Sequence, residues 1–287
     1  MDYLIRNLIS IEVSESCQRR PKANLSGLLP KCRFDESRLG QQPVELSRGC
    51  LFRKLFALSH ETIRLSQGVY TVTDTKNQPR RILWGAATAR TLRAHWMLHE
   101  LGLDYEARPI GSRTGETATA EFTKLNPRQK IPLLQDGEIT MAESAAIVTY
   151  LAETYGQSAG LIPPPLSAQR AAYFEWCFFV MTELDAHTLY VIRKHTNLVA
   201  IYGEAPAAVR AAREGFIKQA QVADQTLVQR GPFILGASFT GADILLATCL
   251  GWAERLEVPL TATLRDYLER TTARPAYRLA HAANQRT

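Results

Sequence analysis

The 287-residue sequence has no long hydrophobic run: no stretch reaches the roughly 18 consecutive apolar residues that a membrane-spanning helix needs. The most apolar stretches are interrupted by an acidic residue, Glu175 in one and Asp243 in the other. Apolar residues still make up 46% of the chain, which excludes collagen-like and fully disordered proteins. We therefore expect a folded protein with no membrane partner.

Cysteine is also scarce and badly placed for metal or disulfide chemistry. The five cysteines form no CxxC pair and no metal-ligand spacing, and they stand far apart at Cys17, Cys32, Cys50, Cys177 and Cys249. An odd, scattered set fits a reducing compartment better than a disulfide framework. The sequence therefore predicts a cytoplasmic location, no metal site and no thiol–disulfide exchange by the protein itself.

The positive charge is confined to one end of the chain. Residues 1–80 hold 13 Lys and Arg against 8 Asp and Glu, whereas residues 81–287 hold 21 against 20. The near-neutral remainder offers no broad basic surface for nucleic acid, so we expect no such partner. Residues 1–80 have no sustained helical or strand periodicity, which predicts a basic, poorly ordered extension, with a regulatory arm as the alternative.

From Arg81 onward the pattern becomes regular and predicts a small α/β domain over residues 81–155. Short apolar strands alternate with amphipathic helices, and Asp136-Gly137 is typical of a hairpin turn. The predicted elements are strand 82–84, a helix to residue 101, strand 103–110, a short helix near 118–124, strands 131–135 and 138–141, and a helix from residue 143. This β-α-β-α-β-β-α order is that of a thioredoxin-like domain.

The rest of the chain predicts an all-helical domain, so the fold class is α/β plus all-α. A Gly- and Pro-containing linker at 156–166 precedes it. Within 167–287, proline boundaries and helical spacing predict helices at 167–195, 206–229, 240–255, 260–270 and 275–283. Thr240 and Asp243 predict a capping box at the start of a central helix, which gives Asp243 a folding role and not a catalytic one.

Two groups of motifs resemble the glutathione transferase family, in its soluble bacterial form. The pattern WG-x3-AR-x2-R-x2-W from Trp84 resembles its first strand and helix. The pattern NP-x3-IPLL from Asn126, followed by Glu143-Ser144, resembles its glutathione-binding half. The resemblance covers residues 81 to about 280. It implies glutathione as co-substrate, a two-fold homodimer, and attack of the glutathione thiolate on a small apolar electrophile, as in detoxification.

The resemblance also implies which residues bind glutathione. Ile131, before a cis Pro132, would pair its backbone with the cysteinyl residue as an added strand. Glu143 and Ser144, at a helix N-terminus, would bind the γ-glutamyl group, and Lys130 would bind the glycyl carboxylate. The alternatives are an ordinary trans proline and a plain helix-capping Glu-Ser pair.

The resemblance does not assign the group that activates the thiol, because Ala89 stands where many family members carry a serine. The catalytic candidates are Thr88, Arg90 and Thr91, with Thr88, on the turn, the preferred hydroxyl. Alternatively Thr88 only caps the helix, and backbone N–H groups together with Arg90 stabilise the thiolate. A non-catalytic binding or carrier protein with the same fold is the alternative function.

The aromatic residues of the first long helix predict the pocket for the electrophile. We expect Trp176, Phe179 and Thr182 to line it, at the interface between the two domains. Asp185 stands where similar bacterial sequences have a histidine that faces the sulfur, so the resemblance gives no role beyond Thr182.

Overall fold

A computed structural model describes residues 81–285, together with two short strands near the N-terminus, β1 (Ile11–Glu12) and β2 (Arg64–Leu65). These strands pair antiparallel, with Ile11 opposite Leu65. The chain divides into two compact units, Met1–Gln78 and Pro79–Thr287. The prediction of a poorly ordered extension over residues 1–80 lies outside the described residues, and the description below concerns the second unit.

Four strands of the second unit form one mixed sheet. They are β3 (Arg81–Trp84), β4 (Glu106–Arg108), β5 (Leu133–Asp136) and β6 (Ile139–Ala142). The order across the sheet is β4-β3-β5-β6; β3 and β4 are parallel, and the other pairs are antiparallel. The helices between and after them are α1 (Ala89–Glu100), α2 (Ala120–Leu125) and α3 (Ser144–Tyr155). The predicted β-α-β-α-β-β-α order is confirmed, although β4 is shorter than expected.

The region after residue 167 is helical, as predicted. Its helices are α4 (Ala168–Phe179), α5 (Tyr190–His195), α6 (Val199–Tyr202), α7 (Pro206–Arg230), α8 (Gly241–Arg255), α9 (Ala262–Thr272) and α10 (Pro275–Ala283). A π-helical segment, Val180–Leu189, joins α4 to α5 without a break. Prolines begin α7 and α10, where they need no N–H partner. The π-helical geometry and α6 were not predicted.

Helix α8 is almost entirely buried within the second unit, in agreement with its apolar sequence. A side chain at Gly241 would meet the Tyr173 hydroxyl at 2.6 Å and Val148 at 2.8 Å. Glycine therefore allows the start of α8 to approach both α3 and α4. This packing joins the sheet to the helical region and fixes the surfaces that face each other across the site described below.

The predicted capping box of α8 is confirmed. The Asp243 carboxylate is fully buried and accepts hydrogen bonds from the backbone N–H of Ile234 and Thr240 and from the Tyr267 hydroxyl, each at 2.8 Å. Asp243 thus acts within the fold. Among the helices of residues 81–285, none is long and apolar enough to cross a membrane.

Candidate functional site

A cavity of about 760 Å³ opens between the sheet and the helical region. Its walls come from the turn after β3, the segment before β5, the start of α3, the π-helical segment and the end of α8. Gly85 makes the first of these walls possible, because it has a φ of +113° and a Cβ there would lie 2.6 Å from the Ile131 Cβ. Glycine therefore lets the β3–α1 turn approach the segment that carries Ile131.

Thr88 lines the cavity and also caps α1. Its hydroxyl oxygen accepts the Thr91 backbone N–H at 3.0 Å, so the helix-cap alternative is realised in the structure. The Thr88 Oγ1 also lies 2.9 Å from the Thr91 Oγ1, and because the Thr91 hydrogen is directed at Asn284, Thr88 is the donor in this contact. Donation to a bound ligand would require the Thr88 hydrogen to turn away from Thr91. A second role of Thr88, as the donor to a bound sulfur, therefore stays a prediction.

Thr91 does not line the cavity, and its place among the catalytic candidates needs correction. Its side chain is fully buried, and its hydroxyl lies 2.6 Å from the Asn284 Oδ1 at the end of α10. A hydroxyl has one hydrogen, and this contact uses it inside the fold. Thr91 therefore joins α1 to the C-terminal helix, whereas Ala89, Thr88 and Arg90 face the cavity.

Arg90 is held at the cavity by a buried carboxylate. Asp185 is fully buried and pairs with both Arg90 and Arg93, with the Arg93 Nη2 at 2.8 Å from its Oδ2. Burial alone would raise the pKa of Asp185, but the charge of Arg93 and the hydrogen bonds from Arg90 hold that pKa below its usual value. One carboxylate therefore faces two guanidinium groups, which leaves this corner of the cavity positive. Arg93 is part of the sequence motif that begins at Trp84, but its wholly buried pairing with Asp185 was not predicted.

The predicted glutathione-binding residues all line the cavity, namely Lys130, Ile131, Pro132, Glu143 and Ser144. The Ile131–Pro132 peptide bond is cis, as predicted. Within residues 81–285, neither the N–H nor the C=O of Ile131 has a hydrogen-bond partner. The N-terminus of α3 beside it receives no side-chain cap, because the Glu143 carboxylate instead pairs with Arg128 at 2.9 Å.

The residues predicted to contact the electrophile do not line this cavity. The rings of Trp176 and Phe179 pack edge to face, 5.4 Å apart, and the Thr182 hydroxyl donates to the Phe178 carbonyl. None of these four residues lines the cavity. Trp176 and Phe179 lie on α4, before the π-helical segment, and only Thr182 lies within that segment, where the hydrogen bonds close at i→i+5. The inward residues of this wall are Met181, Asp185, Ala186, Tyr190 and Arg193.

The cavity wall is strongly basic, a property that the sequence analysis missed. Six cationic side chains line it, against only the two carboxylates of Glu143 and Asp185. The six are Arg90, Arg113, Arg128, Lys130, Arg193 and Arg255. Their positions along the chain are too far apart for a charge cluster to be visible before folding. The one pair that is close in sequence is Arg128 and Lys130, two positions apart.

The described cysteines are buried thiols. Burial raises the pKa of Cys177 and of Cys249 to about 12, so both stay protonated near neutral pH. Among the described residues, no group of three or more His, Cys, Asp or Glu side chains could hold a metal ion.

The fold and the site together define a class: a thioredoxin-like sheet followed by a helical region, with a cavity at their junction. Known proteins agree with this class. The family profile "Glutathione S-transferase, N-terminal domain" matches residues 80–153, and "Glutathione S-transferase, C-terminal domain" matches residues 206–279. The chain belongs to the glutathione S-transferase family.

Three known proteins have sequences similar to that of this chain. Maleylacetoacetate isomerase from Pseudomonas aeruginosa is 32% identical over 190 residues, which cover 64% of this chain and 87% of the relative. The crystal structure of a glutathione transferase from Methylococcus capsulatus is 29% identical with a TM-score of 0.60, covering 71% of this chain and 98% of that one. A theta class enzyme from Xanthomonas axonopodis, crystallised with glutathione bound, is 27% identical with a TM-score of 0.62, covering 73% and 99%.

Proposed function

We propose that this chain is a glutathione transferase that binds glutathione in the cavity and directs its thiolate at an electrophilic carbon of a small substrate. The observation that carries the proposal is the unpaired backbone of Ile131 beside the uncapped N-terminus of α3. Glutathione offers matching groups. Its cysteinyl amide can pair with the backbone of Ile131, and its γ-glutamyl carboxylate can bind at the N-terminus of α3. Lys130, on the same wall, is suited to the glycyl carboxylate.

Arg90 supports the chemical step. A free thiol titrates above neutral pH, so the enzyme must stabilise the thiolate. Arg90 supplies a positive charge at the start of α1. Asp185 holds its guanidinium in place, with the Arg90 Nε 3.1 Å from the Asp185 Oδ1. The helix N-terminus adds a partial positive charge of its own. We assign Thr88, which lines the cavity beside Arg90, as the hydroxyl that donates to the sulfur.

The reaction needs no cofactor besides glutathione. With a chloronitroarene, the sulfur forms a bond to the carbon that carries chlorine, and the carbon–chlorine bond breaks as chloride leaves with the electron pair. The thiol proton is released to water when the thiolate forms. A site that binds the thiolate tightly lowers the barrier only if it also stabilises the transition state, in which the negative charge moves from the sulfur into the aromatic ring.

The proposal is tested by calorimetry with reduced glutathione and by a conjugation assay with 1-chloro-2,4-dinitrobenzene. We expect heat of binding at millimolar glutathione and turnover above the uncatalysed rate. A matched variant, Ile131→Pro, removes the backbone N–H that would pair with the ligand and should abolish the heat. Binding without turnover would support the carrier alternative, and the absence of binding would refute the proposal.

A second candidate is glutathione-dependent isomerisation, which the 32% identical isomerase from Pseudomonas aeruginosa favours. In that reaction the thiolate would add to an activated double bond and leave again after rotation, so glutathione would not be consumed. Measuring free thiol before and after turnover separates the two reactions, since conjugation depletes it.

The two-fold dimer implied by the family is part of this proposal. Light scattering on a gel-filtration column should give about twice the mass of one 32.1 kDa chain. A mass of one chain would contradict the dimer without affecting the proposed chemistry.

A further inference from the structure

We propose that Arg113 and Arg193 form a carboxylate-binding subsite on the helical side of the cavity, and that the electrophile is therefore a small organic acid. This inference rests on the proposed function, because it names the class of the second substrate. It replaces the expectation of an apolar electrophile, which depended on aromatic residues that do not line the cavity.

The first argument is an excess of unpaired positive charge. Of the cavity arginines, Arg90 pairs with Asp185 and Arg128 pairs with Glu143. Arg113 and Arg193 have no carboxylate partner anywhere in residues 81–285. Exposed arginines need none, but Arg193 is half-buried and lies beside other cations. A bound anion would supply the charge that the protein itself does not.

The second argument is that like charges are gathered around one ring. The Tyr190 ring centroid lies 4.6 Å from the Arg90 guanidinium carbon, 5.0 Å from the Lys194 ammonium nitrogen and 6.0 Å from the Arg113 guanidinium carbon. Burial lowers the pKa of Arg193, and the charges of Arg113 and Arg90 lower it further. The second effect shows a positive potential at Arg193, which a carboxylate would relieve.

The third argument is that the Arg113 guanidinium is oriented in advance. Its Nη2 donates to the Tyr190 hydroxyl at 2.6 Å and to the Tyr202 hydroxyl at 3.2 Å. The backbone of Arg113 adopts a φ of +65°, a conformation that non-glycine residues adopt at a cost. Such strain is common where a side chain must be held in a functional position. A guanidinium fixed this way loses little further freedom on binding an anion.

We assign the two carboxylates of glutathione to other partners. Their proposed partners, the α3 N-terminus and Lys130, belong to the sheet region. Arg193 belongs to α5, and Arg113 follows β4 and is bonded to tyrosines of α5 and α6. A planar carboxylate matches the two-pronged donors of a guanidinium, and the cavity of about 760 Å³ has room for an acid beside the tripeptide.

The test compares two electrophiles that differ in one substituent. 4-Chloro-3,5-dinitrobenzoate carries a charged carboxylate, and 4-chloro-3,5-dinitrobenzamide carries a neutral amide in its place. Both undergo the same displacement of chloride by the thiolate. We expect Arg113→Gln and Arg193→Gln each to raise the KM of the benzoate about ten-fold, the equivalent of about 1.4 kcal/mol. The KM of the benzamide and that of glutathione should change less than about two-fold.

The matched control is Arg210→Gln, which removes an exposed arginine of α7 that does not line the cavity. It should leave the preference for the benzoate unchanged. If the variants affect benzoate and benzamide alike, the subsite is refuted. If they raise the KM of glutathione instead, the arginines bind glutathione and the inference is also refuted.

A binding measurement keeps the inference testable if turnover is absent, in which case the proposed function alone has failed. The probes are 3,5-dinitrobenzoate and 3,5-dinitrobenzamide, which cannot react, titrated by calorimetry in the presence of reduced glutathione. The benzoate should bind about ten-fold more tightly than the benzamide, and Arg193→Gln should remove the difference. Equal affinities, or tighter binding of inorganic phosphate than of the benzoate, would contradict a carboxylate subsite.

Discussion

At the scale of single residues, Thr88 combines two tasks in one hydroxyl. It caps α1 through the Thr91 N–H, and it faces the cavity. We expect Thr88→Ala to lower the free energy of unfolding by about 1 kcal/mol, as the loss of an N-cap does. It should also lower kcat/KM about ten-fold or more, since a hydrogen bond to a charged sulfur is worth roughly 1.5–3 kcal/mol.

Thr88→Ser is the control for both tasks, because it keeps the hydroxyl and removes only a methyl group. Urea unfolding and the conjugation assay should return to near wild-type values. If Thr88→Ala loses stability but keeps its turnover, Thr88 is only a cap, and Arg90 with the backbone N–H groups holds the thiolate.

The paired charges at Asp185 predict a strong effect on stability. Asp185→Asn leaves the fully buried Arg93 without a carboxylate. Removing one partner of a buried ion pair costs about 3–5 kcal/mol, since the remaining charge stays buried. Glu143→Gln breaks the exposed pair with Arg128 and should cost no more than about 1 kcal/mol. Urea unfolding of both variants measures the difference, and similar small losses would contradict the proposed importance of the buried pair.

His95 predicts how stability depends on pH. Its ring contacts the Gly85 carbonyl at 3.2 Å and the Tyr105 hydroxyl at 2.7 Å, and burial lowers its pKa to about 4. The unfolded chain takes up a proton at His95 near pH 6.5, whereas the folded protein does not until about pH 4. The contribution of neutral His95 to the free energy of unfolding is therefore fully present above pH 6.5. It falls by up to about 3 kcal/mol as the pH drops to 4.

The check is urea unfolding of the wild type and of His95→Gln at several pH values between 7 and 4.5. The free energy of unfolding should fall more steeply with acid in the wild type. His99, whose pKa burial also lowers, is present in both proteins, so the difference isolates His95. Parallel curves would show that His95 is protonated in the folded state as readily as in the unfolded one.

At the scale of elements, the end of α10 fixes the turn that begins the site. Asn284 is buried, and its backbone C=O accepts the Ala87 N–H at 2.7 Å. Its side chain donates to the Thr88 carbonyl at 3.2 Å and lies 2.6 Å from the Thr91 hydroxyl. Asn284→Ala should therefore loosen the turn, with a loss of about 1–3 kcal/mol from the unpaired buried groups.

The same change should lower kcat more than it raises the KM of glutathione, because Ile131 and the start of α3 are untouched. Gln285→Ala, next along the chain but exposed, is the matched control and should have no effect. Unfolding and steady-state kinetics decide the point. Equal effects of the two variants would mean that the chain end does not position the turn.

Element boundaries were predictable where the signals are local. Pro206 and Pro275 begin the helices that they were expected to begin, and the Thr240–Asp243 box starts α8. The π-helical segment Val180–Leu189 carries no such signal, because its period depends on how it packs between α7 and α8. Of the three residues predicted to contact the electrophile, only Thr182 lies in that segment, so the change of period concerns Thr182 and not Trp176 or Phe179.

At the scale of the whole molecule, the two halves of the cavity differ in how far a sequence can predict them. The glutathione half is built from a short stretch, Lys130 to Pro132, and from Glu143-Ser144 close behind it, so a motif can represent it. The opposite half brings Arg113 to the Tyr190 hydroxyl across 77 positions of the chain. Only the packing of the helices against the sheet creates that contact, and no pattern of spacing contains it.

The division of the chain into Met1–Gln78 and Pro79–Thr287 leads to a last prediction. Every described residue that lines the cavity belongs to the second unit, and so do the described buried residues of the core. A protein that begins at Pro79 should therefore fold alone. We expect its thermal midpoint to lie within a few degrees of that of the full chain and its kcat/KM to change less than about two-fold, since a shift of 1 kcal/mol moves the midpoint of a domain this size by roughly 2–4 °C.

Comparing the full chain with the protein that begins at Pro79 also tests whether the positive charge of the first 80 residues binds nucleic acid. The net charge of the first 80 residues is positive by five, against one for the remainder, so any weak affinity of the full chain for duplex DNA at low salt should disappear in the shortened protein. Filter binding at two salt concentrations measures it. DNA binding that survives the truncation would place a basic surface on the second unit, and loss of folding or turnover would show that the first unit contributes to the cavity after all.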